Sequence, residues 1–161
     1  MEDFDFVSPK TLAEALTLMA SKGDRARLIA GGTDILVQMR AGRRSADVVV
    51  DVKSIPELNE VSYDSQRGLV LGAAVPCYRI YQNQQVATAY PGLIDSAGLI
   101  GGIQIQGRAS IGGNLCNAAP SGDAIPPIIA LSGVCNIASS SGTRQVPAEE
   151  FCTGPGQSQL Q

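Results

Sequence analysis

Gly31 and Gly32 stand between a strand-like run, Arg27-Leu28-Ile29-Ala30, and a helix-like run from Asp34 to Ala41 that closes at Gly42. A β-rich run from Asp47 to Val52 follows, so strand, glycine turn, helix and strand succeed one another in a βαβ-like opening. Paired glycines carry no Cβ, so their backbone N–H groups can approach an anion closely, and a helix start just beyond adds partial positive charge. A second pair lies in Ser110-Ile111-Gly112-Gly113-Asn114. Two such turns on one cofactor would clasp a pyrophosphate from both sides. A plainer reading stays open: with 18 glycines, Gly-Gly pairs also arise as simple turns, and Asp34 serves equally as a helix cap with no ligand. Neither segment is a Walker A sequence or a Gly-x-Gly-x-x-Gly fingerprint, which disfavours ATP hydrolysis and a Rossmann dinucleotide site.

Elsewhere the pattern alternates short helices and hairpins. A helix is expected from Pro9 to Lys22, capped by Ser8 and leaving at Gly23, with Leu12, Ala15, Leu16 and Met19 on one face. Glu60 to Tyr63 and Gly68 to Ala73 read as a hairpin across Asp64-Ser65-Gln66-Arg67. Cys77 to Gly101 reads as helical, with Pro91 opening its later helix. Ile103 to Asn117 reads as a loop, Ala124 to Leu131 as a helix, and Val134 to Ala138 with Thr143 to Val146 as a second hairpin ended by Pro147. The tail from Phe151 lacks the periodicity of a finished element. The character shifts near residue 54, so two lobes are expected, 1–54 and 55–161, in an α+β chain.

Composition narrows the chemistry. The 161 residues include no histidine, which removes Ser-His-Asp and Cys-His catalysis and His-ligated metals. The four cysteines, at 77, 116, 135 and 152, form no Cys-x-x-Cys pair, so no zinc or iron–sulfur site is expected on this chain alone. A net charge of -3, 4% aromatic residues and no tryptophan argue against nucleic acid as a partner. The start, Met1-Glu2-Asp3-Phe4-Asp5, is acidic where a secretory signal is basic, and no apolar run is long enough to cross a bilayer. A cytoplasmic location with reduced thiols is the expectation. Arg40, Arg43 and Arg44 make the one basic cluster, read chiefly as a solvated helix end.

Ala30-Gly31-Gly32-Thr33-Asp34-Ile35-Leu36, together with the stretch from Ile111-Gly112-Gly113-Asn114-Leu115-Cys116 to Pro120-Ser121-Gly122-Asp123, resembles the FAD-binding subunit of the xanthine dehydrogenase and carbon monoxide dehydrogenase family. Phe6-Val7-Ser8-Pro9, Leu71-Gly72-Ala73 and Phe151-Cys152-Thr153-Gly154-Pro155-Gly156 extend the resemblance over nearly the whole chain, in order. It implies a two-lobed FAD-binding domain of α+β class, similar to the vanillyl-alcohol-oxidase-like (PCMH-type) flavoproteins. It also implies that Gly31, Gly32 and Thr33 with the cap residue Asp34 hold the FAD pyrophosphate, flanked by Ala30 and Ile35. Ile111, Gly112, Gly113 and Asn114 would then form the opposing loop, and Asp123 would bond a hydroxyl of the FAD sugar portion. The implied partners are an iron–sulfur small subunit and a molybdopterin large subunit, with electrons passing from the clusters to the flavin and on to NAD or another acceptor. The family pattern differs just before the second turn, where this chain has Gln106-Gly107 ahead of Arg108, and family subunits continue into a further C-terminal domain. No residue is nominated as an acid–base catalyst. The competing readings are a self-sufficient flavin oxidase or reductase and a cofactor-free structural module of the same fold.

Overall fold

The computed structural model describes residues 2–160. Strands β1 (Asp5–Val7), β2 (Ala26–Ile29) and β3 (Val48–Asp51) form a parallel sheet in the order β1-β3-β2. The register sets Phe6 and Arg27 on either side of Val49. β3 is the central strand and all four of its residues are buried, as its unbroken Val-Val-Val run demands of a parallel strand covered on both faces. Helix α1 (Leu12–Lys22) joins β1 to β2, and α2 (Ile35–Arg40) joins β2 to β3. Ala15 of α1 is buried against Val48, Val50, Val52 and Ile55, with Leu12, Leu18 and Met19 beside it. Met39 of α2 packs with Ile29 and Val49 on the other side.

The start of α1 differs from the sequence reading. Its cap is Thr11, which accepts from the Glu14 amide at 3.2 Å. Ser8 instead donates to Asp51 across the sheet, so it leaves the helix for a tertiary partner.

The hairpin of β4 (Val61–Asp64) and β5 (Gly68–Leu71) follows, its turn fixed by the Asp64 carboxylate accepting from the amides of Gln66 and Arg67. Helices α3 (Cys77–Tyr81), α4 (Gln84–Ala89) and α5 (Pro91–Leu99) then build a second core around Val75, Cys77, Ile80, Val86, Leu93 and Ala97.

The stretch expected as a loop from Ile103 to Asn117 is two helices, α6 (Ile103–Gln106) and α7 (Ile111–Asn117). Two adjacent glycines cost helix stability, roughly 1 kcal/mol each against alanine, which hides α7 in the sequence. What restores it is Ser110, whose hydroxyl accepts from the Gly113 amide at 3.0 Å. Beyond lie α8 (Ile125–Ala130) and the hairpin of β6 (Val134–Ser139) and β7 (Gly142–Pro147). The tail is also more ordered than its sequence suggested: α9 (Ala148–Phe151) runs into a small ladder of β8 (Cys152–Gly154) and β9 (Gln157–Ser158). Phe151 anchors it in a cluster with Leu115, Ile137 and Val146. The mixture of a parallel sheet, separate antiparallel hairpins and short helices makes the chain α+β. No helix among the described residues is long and apolar enough to cross a membrane.

Candidate functional site

The first glycine turn leaves β2 at its carboxyl end, the side of a parallel sheet where ligands settle. A Cβ on Gly31 would overlap the Arg108 carbonyl, lying 2.5 Å from its carbon and 2.9 Å from the Ala109 nitrogen. Only glycine fits there. The second turn has the same device: a Cβ on Gly112 would lie 2.5 Å from the Ala73 carbonyl oxygen. Both positions are therefore backbone-on-backbone contacts, and the two touch one another's neighbourhoods. Gly31 abuts the residues leading into α7, and Arg108 donates from Nε to the Gly31 carbonyl at 2.9 Å. A second tie runs between the helices themselves, where Gln38 of α2 donates to the Asn117 side chain at 2.8 Å. Arg44 donates to the free end of the same Gln38 amide, also at 2.8 Å, which gives one member of the basic cluster a structural task.

These ties bring together the two segments that the sequence set nearly eighty residues apart. Between them they hold polar groups with no protein partner. Among the described residues, the amides of Gly32, Thr33 and Asp34 donate to no acceptor, and neither does that of Gly112, while the antiparallel bridge of Pro76 and Ser110 turns the Ile111 amide to the Val75 carbonyl. Gly32 has φ of +79°, a left-handed backbone that glycine adopts without strain.

The remaining residues divide by task. Ala30 is half-buried against the sheet core, and Ile35 packs with Phe4 and Leu36 on the cluster of Ile29, Met39 and Val49. Asp34 sits at the cap position of α2, but its carboxylate makes no capping bond and is exposed. Ile111 is buried in the second core, and the Pro76–Ser110 bridge ties its amide to the Val75 carbonyl. The Gly113 amide is already held by Ser110. Asn114 accepts from the Ala124 amide through its side chain at 3.2 Å. That bond, with Ser96 donating to the Asp123 carbonyl at 3.0 Å, pins the loop carrying Asp123 beside α7. The Asp123 residue itself is exposed, and its carboxylate accepts no hydrogen bond from the described residues. Arg108, Gln38 and Asn117 were missed as site residues; long-range bonds between single side chains leave no local sequence signal.

The family model for the FAD binding domain in molybdopterin dehydrogenase matches residues 2–161. The chain belongs to this family. Its relatives include the xanthine dehydrogenase FAD-binding subunit of Escherichia coli O157:H7, 34% identical over 98% of this chain and 55% of the relative. The nicotinate dehydrogenase FAD-subunit of Eubacterium barkeri is 31% identical over 97% and 53%. Among solved structures, the carbon monoxide dehydrogenase of Hydrogenophaga pseudoflava superposes with a TM-score of 0.95 at 28% identity, over 99% of this chain and 55% of that one. Quinoline 2-oxidoreductase from Pseudomonas putida 86 gives 0.94 at 28% identity, over 99% and 55%. The chain thus spans about half the length of the relatives it matches.

FAD is the cofactor for which the family is named, and the site's own features suit its diphosphate. Four free amides and two glycine contacts that admit no Cβ are the donors and the clearance such an anion needs.

The cysteines stay outside this donor set. Cys77 is fully buried, and burial pushes its thiol up to about 11. Cys116 reaches solvent along one side of α7 while its sulfur lies in a crowded setting; burial, then the neighbouring Cys135 and Cys152, push its thiol up to about 12. Cys152 donates weakly to the Leu115 carbonyl at 3.6 Å. All four are free thiols, and no group of three or more His, Cys, Asp or Glu among the described residues is placed to hold a metal ion.

Proposed function

We propose that this chain is the FAD-binding part of an electron-transfer subunit in a molybdenum-containing hydroxylase or dehydrogenase. The observation that carries the reading is the pair of glycine turns, tied through Arg108–Gly31 and Gln38–Asn117, with unpaired amides on both. Bound FAD supplies the redox centre; the protein supplies position and electrostatics. The amides of Gly32, Thr33, Asp34 and Gly112 would hold the diphosphate, with Ala30 and Ile35 shaping the first turn and Ile111 the second. Gly113 and Asn114 would keep the second turn in shape through Ser110 and Ala124. Asp123, with its free carboxylate, would accept from a sugar hydroxyl.

The fuller reading has the iron–sulfur clusters of a small subunit delivering electrons that began at the molybdopterin of a large subunit, with NAD or another acceptor receiving them from the flavin. The names of the relatives as FAD subunits of dehydrogenases support it. We place the protein in the cytoplasm, assign its fold to the PCMH-type flavoproteins, and divide it into lobes 1–54 and 55–161. The core around Ile80, built wholly from residues beyond 54, supports that division, while Ile55 and Ala74 join the core around Val50.

Asp123→Ala tests the assignment. The residue is exposed, so the fold should be unaffected, while loss of one charged hydrogen bond costs about 1.5–3 kcal/mol. FAD titration should show affinity reduced about tenfold or more. Unchanged affinity removes Asp123 from the site.

A further inference from the structure

Beside the glycine turns, on the side of Ala74 and Pro76, lies a cleft of about 210 Å³ lined by Lys53, Asn59, Tyr78, Arg79, Gly107 and Arg108 among others. The chain as a whole is acidic, with 15 Asp and Glu against 12 Lys and Arg, yet three of those twelve cations meet here. They come from three separate segments: the loop after β3, helix α3 and the approach to α7. Of these three, Lys53 has a carboxylate within salt-bridge distance, Asp51 at 2.6 Å, while Arg79 and Arg108 have none among the described residues.

Each cation is held from behind. Arg108 donates its Nε to the Gly31 carbonyl, which fixes the plane of the guanidinium and leaves its two terminal nitrogens free. Arg79 reaches the Asn59 carbonyl from one terminal nitrogen at 3.4 Å. Asn59 is in turn anchored, donating to the carbonyls of Lys53 and Ile55 at 2.7 and 3.0 Å. Asp51 offsets Lys53, so the Arg79 and Arg108 guanidiniums are the ones left to repel without an anion, and guanidiniums already oriented lose less freedom on binding one.

We infer that this cleft binds a phosphoryl dianion, separately from the FAD diphosphate. Arg79 and Arg108 offer forked N–H donors, Lys53 a point charge, and Tyr78 a hydroxyl. That set suits a tetrahedral oxyanion. The volume falls below the roughly 300 Å³ at which pockets begin to enclose drug-sized ligands, so the occupant is free phosphate or the phosphate tip of a larger molecule.

The test is calorimetric titration of the chain with inorganic phosphate at fixed ionic strength, repeated with adenosine monophosphate and in the presence of saturating FAD. Saturable phosphate binding is expected, unchanged by FAD. Arg79→Gln should weaken it tenfold or more while leaving Tm and FAD affinity alone, because Arg79 is exposed and bonds only one carbonyl. Equal binding of the monophosphate would identify the tip of a larger ligand, and binding of inorganic phosphate alone would identify the free ion; both uphold the site. Three results overturn it: no saturation up to about 20 mM phosphate, far above a ~1 mM dissociation constant; equal affinity in Arg79→Gln; or phosphate competing with FAD, which would make the cleft part of the FAD site.

Discussion

Gly31→Ala is the substitution that most sharply tests the joint between the two turns. The added Cβ would sit 2.5 Å from the Arg108 carbonyl carbon. Ordinary carbon–carbon contact is about 3.5 Å, so the two backbones must separate by about 1 Å. Side-chain rotation gives no relief, since the obstacle is main chain. Forced overpacking of this kind costs about 1–3 kcal/mol. Separation also strains the Arg108–Gly31 hydrogen bond, which contributes about 1 kcal/mol. A total near 3 kcal/mol corresponds to a Tm lowered by about 6–12 °C in a domain of this size. FAD affinity should fall as well, because the displaced turn carries three of the free amides. Thermal unfolding followed by circular dichroism, with FAD titration on the folded protein, measures both. A Tm within about 1 °C of the parent and unaltered FAD affinity would refute the close contact, since even the low end of the range exceeds that shift.

Three further outcomes follow from the same geometry. Gly98→Ala, at an exposed position of α5 with nothing within 4 Å of the new Cβ, should raise stability by about 0.5–1 kcal/mol, seen as a higher Tm. Burial alone would raise the Asp51 carboxyl, but hydrogen bonds from the Lys53 side chain and amide, the Lys53 charge and Ser8 outweigh it and hold the group below its ordinary 3.8. A depressed folded value means stability present above pH 3.8 and lost as pH falls through it, so denaturant midpoints should drop below about pH 4, and drop less steeply in Asp51→Asn. Cys77, wholly buried with its thiol near 11, should resist alkylation at pH 8 in the folded chain and react on unfolding, read by mass spectrometry.

What the sequence disclosed and what it hid have separate physical causes. The strand–glycine–helix–strand order around Gly31 was legible because local periodicity and turn residues encode it, and β2, α2 and β3 fall where the pattern put them. Both hairpins were legible for the same reason. Strand β1 was passed over because three residues give too short an alternation, and its pairing to β3 is long-range. Helix α7 was hidden by the residues that make the site useful: glycine at 112 is a poor helix former kept by its contact with Ala73. The two turns could be named from sequence, but their union could not, since it depends on Arg108 meeting Gly31 and Gln38 meeting Asn117 across the fold.

The central claim is that the joined glycine turns form an FAD site, and direct titration of the chain with FAD, followed by visible absorption and flavin fluorescence, tests it most simply. Saturable uptake of one FAD per chain is expected, with the flavin bands perturbed on binding and the affinity lowered in Gly31→Ala. A chain that keeps its circular dichroism and cooperative melting yet takes up no FAD in large excess would contradict it.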